Sequence, residues 1–270
     1  MTSKFANNRR KVLQHVASVV LLPSTFAVMS LAGRAQTQKK RKTWSRLMAD
    51  PPDGMLQDTL DYVLAFTVAH EGNTPFMYNN WPLKNPNLDV TVGVGRALPN
   101  ADSAAVPEVR DTFTVKATGA PATDDDMRAE WNRVAAIPRS ATNLFSDYRD
   151  ASPLLMDPDG MLALLGDNML RFWGQKGQDF DFSAIPAQAQ VALMSYNYGR
   201  RLSNAPKMCN AVRSSDFDTA ATECVISGWD QRKNQAHQVL FQNAGAIIAK
   251  GLDLNTLPPI DGPFKPPPSV

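Results

Sequence analysis

His70-Glu71-Gly72, Met77-Tyr78-Asn79-Asn80 and Thr91-Val92-Gly93-Val94-Gly95 follow one another within residues 70–95. Upstream, Leu56, Leu60, Val63, Leu64, Thr67 and Val68 recur at near-helical spacing, so Glu71 falls at the carboxyl end of a predicted helix. Downstream, Tyr78-Asn79-Asn80, Pro82, Asn85-Pro86-Asn87 and the alternation over Val90–Val94 predict a small hairpin or three-stranded sheet. A glutamate at such a junction faces the negative end of a helix dipole, and cleft walls would strip water from it. Both effects favour the protonated carboxyl. Several glycosidases present their proton donor this way, as a lone carboxyl beside a compact β-element. The bland alternative is an exposed glutamate at a helix end.

Working outward, the remainder is mostly helical in pattern. Residues 99–121 are rich in Pro, Ala and Thr, with a strand-like Thr112-Phe113-Thr114-Val115, and predict an extended loop or accessory hairpin. Thr123 followed by Asp124-Asp125-Asp126 marks a helix start, because acids suit the positive end of a helix. Helices then extend to about Ala249, with breaks near Pro138, Pro153, Asp157-Pro158, Gly177 to Pro186, Gly199 to Pro206, and Gly228. Ala187–Tyr198 is apolar nearly all round and predicts a central buried helix. The expected organisation is an export segment at 1–35, a basic, Pro-containing linker at 36–54, one α+β, predominantly α domain at 55–253, and a Pro-rich tail at 254–270.

Charge and cysteine usage narrow the function classes. Of 28 bases and 26 acids, five bases and no acid fall in residues 1–35. Five more bases, Lys39, Lys40, Arg41, Lys42 and Arg46, lie just beyond, so the body after Arg46 keeps 18 bases against 26 acids, a net of −8. Such a body argues against nucleic acid as a partner. The basic start with Arg9-Arg10, the apolar run Val16 to Ala32 and the small residues Gly33 and Ala35 predict an export signal. Asn8-Arg9-Arg10-Lys11-Val12-Leu13-Gln14 resembles a twin-arginine motif. Delivery to the periplasm or the cell exterior follows, an uncleaved anchor being the alternative, and no other run is long and apolar enough to span a bilayer. Cys209 and Cys224 flank a predicted helix-turn-helix with Ser214-Ser215-Asp216 at its turn. In an oxidising compartment they would form a disulfide worth about 3 kcal/mol. Two buried small hydrophobes are the alternative. The scattered histidines His15, His70 and His237 give no metal-ligand pattern, and Gly93-Val94-Gly95 lacks the third glycine of a nucleotide cradle, so no metal or cofactor is expected.

The order of these elements resembles the phage-type lysozyme family, the muramidases of phage endolysins. That family shows Glu-Gly, a tyrosine seven residues after the glutamate, and a Thr-Ile/Val-Gly-x-Gly strand. Glu71, Tyr78 and Thr91-Val92-Gly93-Val94-Gly95 match these. In the carboxyl half, Ala192 to Gly199 resembles the family's buried helix ending in Asn-x-Gly. Ser214 to Ala221 resembles its helical hairpin, and Trp229 stands where its tryptophan precedes the last helix. The likeness spans about residues 56–250 and is loose over 97–185. It implies a lysozyme-like fold, a small sheet lobe joined to a helical lobe with a cleft between them. It further implies a monomer that cleaves the β-1,4 bond between N-acetylmuramic acid and N-acetylglucosamine in peptidoglycan strands, with Glu71 as general acid.

Departures from the family pattern keep the mechanism open. Asn80 stands where the family has an aspartate, and Asp89, two residues before Thr91, either replaces it or is a solvated turn residue. The span from Tyr78 to Thr91 is longer than in familiar members, Arg96 replaces a frequent histidine, and an arginine expected beside the glutamate is replaced around Asn234-Gln235. In an inverting hydrolase, Asp89 or Asn80, with Thr91, would orient water while Glu71 donates its proton. In a lytic transglycosylase, Glu71 acts without a second carboxylate and the sugar's own C6 hydroxyl attacks. A glycan-binding protein that has lost its chemistry, and a chitin- or chitosan-cutting enzyme, are further alternatives. Tyr78 and Trp81 offer aromatic faces to sugar rings, whereas Trp173 and Trp229 read as core.

Overall fold

In the computed structural model, residues 50–79, 90–137, 145–176 and 180–257 are described. Helix α1 (Gln57–Glu71) leads into a three-stranded antiparallel sheet, β1 (Thr74–Asn79), β2 (Val90–Gly93) and β3 (Arg96–Leu98), in the order β1-β2-β3. Two short helices, α2 (Ala101–Ala105) and α3 (Pro107–Arg110), precede strand β4 (Phe113–Val115). Helices α4 (Asp124–Ala135) and α5 (Phe145–Arg149) come before β5 (Leu154–Met156), which pairs antiparallel with β4. The rest is helical: α6 (Pro158–Lys176), α7 (Ala187–Gly199), α8 (Pro206–Arg213), α9 (Phe217–Glu223) and α10 (Gln231–Ala249). The protein is α+β and predominantly α.

The core is organised around α7, whose residues Ala187 through Asn197 are all buried. It packs against α1, α6 and α10 at once, so no face is left for polar residues. Of its polar side chains, Gln190 is held through Nε2, which donates to the carbonyls of Phe182 (2.9 Å) and Ile185 (2.7 Å), whereas Ser195 Oγ is buried without a hydrogen-bond partner among the described residues. The amide of Ala187 donates to Leu254 O at 2.7 Å, so the chain leaving α10 returns to cap α7. Helix α1 is likewise buried broadly, at Leu60, Val63, Leu64, Phe66, Thr67 and Val68, because both α6 and α7 pack on it. It stops at Gly72 (φ 81°), whose amide donates to Val68 O.

The sheet follows the Thr/Gly pattern. Tyr78 pairs with Thr91 and Asn79 with Val90, a bulge separates Tyr78 from Thr74, and Thr91 in turn pairs with Ala97. Gly93 (φ 62°) and Gly95 (φ 93°) take the left-handed conformations that a tight β2–β3 turn demands.

Several local expectations are corrected. Residues 99–121 are not extended throughout. Asn100 and Ser103 form a reciprocal capping box that starts α2, and Pro107 at the first turn starts α3. Leu154–Met156 is a strand, because Phe113, Thr114 and Val115 offer it a pairing edge. The packed body reaches past its expected limits at both ends. A Cβ on Gly54 would fall 2.6 Å from Ser183 N, and Leu257 packs on the core. The proposed cap of α4 is as read, with Thr123 and Asp126 bonded reciprocally.

Cys209 and Cys224 are free, buried thiols, not a disulfide. Each sulfur turns to a backbone carbonyl of its own neighbourhood, Leu202 O at 3.6 Å and Ala221 O at 3.2 Å. Burial pushes both thiols up, Cys224 to about 12, so neither carries the thiolate that disulfide exchange requires.

If α7 is the organising element, Leu193→Ala should cost about 2–5 kcal/mol in urea denaturation, by cavity formation. Removing the surface cap with Thr123→Ala should cost only about 1 kcal/mol. A reversed order would remove α7 from the centre.

Candidate active site

Glu71 ends α1 where the helices meet the sheet, and its side chain is 29% exposed. Its Oε1 accepts a hydrogen bond from Lys233 Nζ of α10 in direct contact, whereas Oε2 has no hydrogen-bond partner among the described residues. The Lys233 side chain is only 7% exposed. A buried ammonium is costly unless it is paired, and two groups compensate it here. One is the Glu71 carboxylate, and the other is the face of Trp229, 3.6 Å from Nζ to the ring centroid. Burial lowers the lysine's proton affinity, and the charge and hydrogen bond of Glu71 oppose that.

The seat for this lysine is built by three local features. Asp230 caps α10 by accepting from Arg232 N at 2.7 Å. Asn234 clamps the preceding loop in both directions, accepting from Ile226 N and donating to Ile226 O, each at 3.0 Å. Trp229 is thereby held at the mouth of the helix. At the end of α7, Gly199 leaves the space both groups fill: a Cβ there would lie 2.7 Å from the indole and 2.8 Å from Lys233 Nζ. The expected loss of a cation beside the glutamate, read from Asn234-Gln235, is corrected: Lys233, one position before Asn234, supplies one. Asn234 instead positions the loop that carries Trp229.

Tyrosines line the sheet side. Tyr78 on β1 is pushed up to about 12, mainly by burial and then by the negative charge of Glu71. Tyr198 on α7 is also raised, by burial first and then by Glu71 and Tyr78, and its hydroxyl donates to Val94 O in the β2–β3 turn. Both phenols stay neutral hydrogen-bonding groups near the carboxylate. Thr91 lies directly across from Tyr78, on the same sheet face, and is fully buried. Any water-orienting role for Thr91 would require substrate to open that packing.

Asn80, Trp81 and Asp89 lie outside the described residues. Trp173 stacks on Phe182 at 4.9 Å, in keeping with its core reading. Trp229 is partly buried and does more than fill core, since it carries Lys233. Among the described residues, no cluster of three His, Cys, Asp or Glu is placed to hold a metal, and no helix is long and apolar enough to cross a membrane. A shallow depression lined by Asp53, Gly54, Phe180, Asp181 and Ser183 involves none of these site residues.

The two internal histidines, far apart in sequence, meet around Lys233. The His70 ring lies tilted against Phe66 at 4.3 Å, with Nδ1 2.7 Å from Phe66 O. His237 is completely buried among Phe66, Tyr196 and Trp229, with Nδ1 2.8 Å from Lys233 O and Nε2 without a partner. Burial holds its pKa down at about 3. No protein-family model matches the chain, and no curated protein matches it.

Two predictions follow from this seat. Gly199→Ala should displace Trp229 and Lys233, costing about 1–3 kcal/mol and altering the near-ultraviolet tryptophan spectrum. Gly174→Ala on α6, where an added Cβ meets nothing within 4 Å, should instead be neutral or stabilising by up to about 1 kcal/mol. His237 binds its proton more weakly folded than unfolded, so stability should fall as pH drops from about 6.5 toward 3 and be flat above that window for this group. In acid titrations, His237→Phe should shallow that slope, and an unchanged slope would assign it elsewhere.

Proposed function

We propose that the chain is a glycosidase cleaving the β-1,4 linkages of peptidoglycan strands, with Glu71 as proton donor in a cleft between the sheet and the helices. The observation carrying this reading is the half-held carboxyl: Oε1 anchored by Lys233, Oε2 without a hydrogen-bond partner among the described residues, and the group partly open to solvent where helices meet sheet. An acid catalyst needs that combination of fixed position and one available oxygen. The neutral phenol oxygens of Tyr78 and Tyr198 are suited to accept from sugar hydroxyls around it, the Tyr198 proton being committed to Val94 O. Lys233 favours the carboxylate left after donation, so the acid role requires Glu71 to take up a proton on Oε2 as bound substrate excludes water.

The lysozyme-type assignment rests on the ordered motifs at Glu71, Tyr78 and Thr91 to Gly95, and export through the segment at 1–35 would bring the protein to its substrate. Hydrolysis is the first reading, with Asp89 or Asn80 and Thr91 orienting water. A lytic transglycosylase is the second, favoured by an asparagine at position 80 where the resemblance has an aspartate.

Purified cell walls should lose turbidity with the native protein, and Glu71→Gln should slow this at least about 100-fold. Mass spectrometry of the products then divides the mechanisms, reducing ends meaning hydrolysis and anhydro ends transglycosylation. Equal clearing by both proteins, or none by either, would overturn the proposal.

A further inference from the structure

Arg96 opens β3 directly after the Gly93–Gly95 turn, and Arg171 lies exposed on α6. Both guanidinium groups donate to one oxygen, Oδ1 of buried Asn168, with Arg171 Nη2 at 3.1 Å and Arg96 Nη1 closer. Two donors on one acceptor place the Nη atoms within about 6 Å of each other. Asn168 is neutral and cannot offset two charges. Among the described residues neither arginine has a carboxylate at ion-pair distance, and Asp167 and Glu108 act on Arg96 only through space. The repulsion is felt: burial first, then Arg171, lowers the proton affinity of Arg96. The Nε of Arg96 is buried without a partner. Two adjacent guanidinium groups, neither in direct contact with a carboxylate among the described residues, match the planar fork by which arginine holds a carboxylate.

This pair lies close to the candidate active site, with Tyr198 between them. Arg171 lies over Phe172 at 5.2 Å, the Phe172 ring meets Tyr198 edge-on at 6.2 Å, and Tyr198 is within electrostatic range of both Arg96 and Glu71. The body after Arg46, these two arginines included, carries a net charge of −8 and would repel an anionic polymer without such a local counter-charge.

The geometry points to a carboxylate-binding subsite at Arg96 and Arg171 that takes the peptide stems hanging from the glycan. This rests on the peptidoglycan reading, since those stems supply free carboxylates beside the sugars. The full chain, mixed with cell walls whose peptide carboxylates are either intact or amidated by carbodiimide, should co-sediment roughly tenfold more tightly with the intact walls. Arg171→Gln should abolish most of that preference, Arg171→Lys should keep part of it, and Arg96→Gln should repeat the loss from the sheet side. Arg171 is exposed, so its variants test the subsite without disturbing the core. Native protein indifferent to amidation, or an Arg171→Gln loss equal on both walls, would overturn the inference. Sedimentation needs no turnover, so a protein that discriminates but never cleaves would sink the Glu71 chemistry and leave the subsite standing. A lytic protein blind to amidation would do the reverse.

Discussion

The contact between Glu71 and Lys233 joins positions 162 residues apart, and the surrounding architecture serves it. An ammonium inside a protein loses its hydration, and it stays charged only where partners replace that hydration. Here a carboxylate approaches from the end of α1, an indole face from the loop before α10, and a glycine at the end of α7 leaves the necessary volume. Displacing any one of them affects the other two. The carboxylate is correspondingly constrained, with one oxygen committed to the lysine and the other without a hydrogen-bond partner among the described residues.

A second layer supports this contact from beneath. His237, one helical turn beyond Lys233, is a neutral, wholly buried ring boxed by Phe66, Tyr196 and Trp229. It thus ties α1, α7 and α10 into one packed unit under the lysine. On the sheet side, the β2–β3 turn is held to the helices by the Tyr198 hydroxyl on Val94 O and by Arg96 on Asn168. The junction of sheet and helices is therefore polar, hydrogen-bonded and bordered by cations on two sides, Lys233 and the arginine pair, within an otherwise acidic body.

How much of this could be read from residues alone depended on whether the signal was periodic. The helix ending at Glu71, the Thr/Gly strands and the apolar run of α7 each carry a repeating pattern or a glycine with a conformational reason, and the structure contains them. Lys233 carries no such mark, because a lysine near a helix start ordinarily faces water. Only the closeness of Trp229, and Gly199 as the one residue small enough beside it, make the position special. The helices at 101–110 were hidden by Pro, Ala and Thr content, although Asn100 with Ser103 was a legible cap. Leu154–Met156 was hidden because three residues are too few to show alternation, and β4 decides their state. The cysteine expectation failed for a different reason: spacing around a helical hairpin says that two thiols share a neighbourhood, not that their sulfurs point at each other.

The most direct test of this account is a double-mutant cycle in urea denaturation with Glu71→Gln, Lys233→Met and the two combined. If this half-buried pair is the constraint from which the site is built, each single change leaves a partner stranded, and the double change recovers part of the loss. The interaction energy should then exceed about 1 kcal/mol. Losses that simply add, to within about 0.3 kcal/mol, would show that the two groups do not depend on each other and would contradict the account.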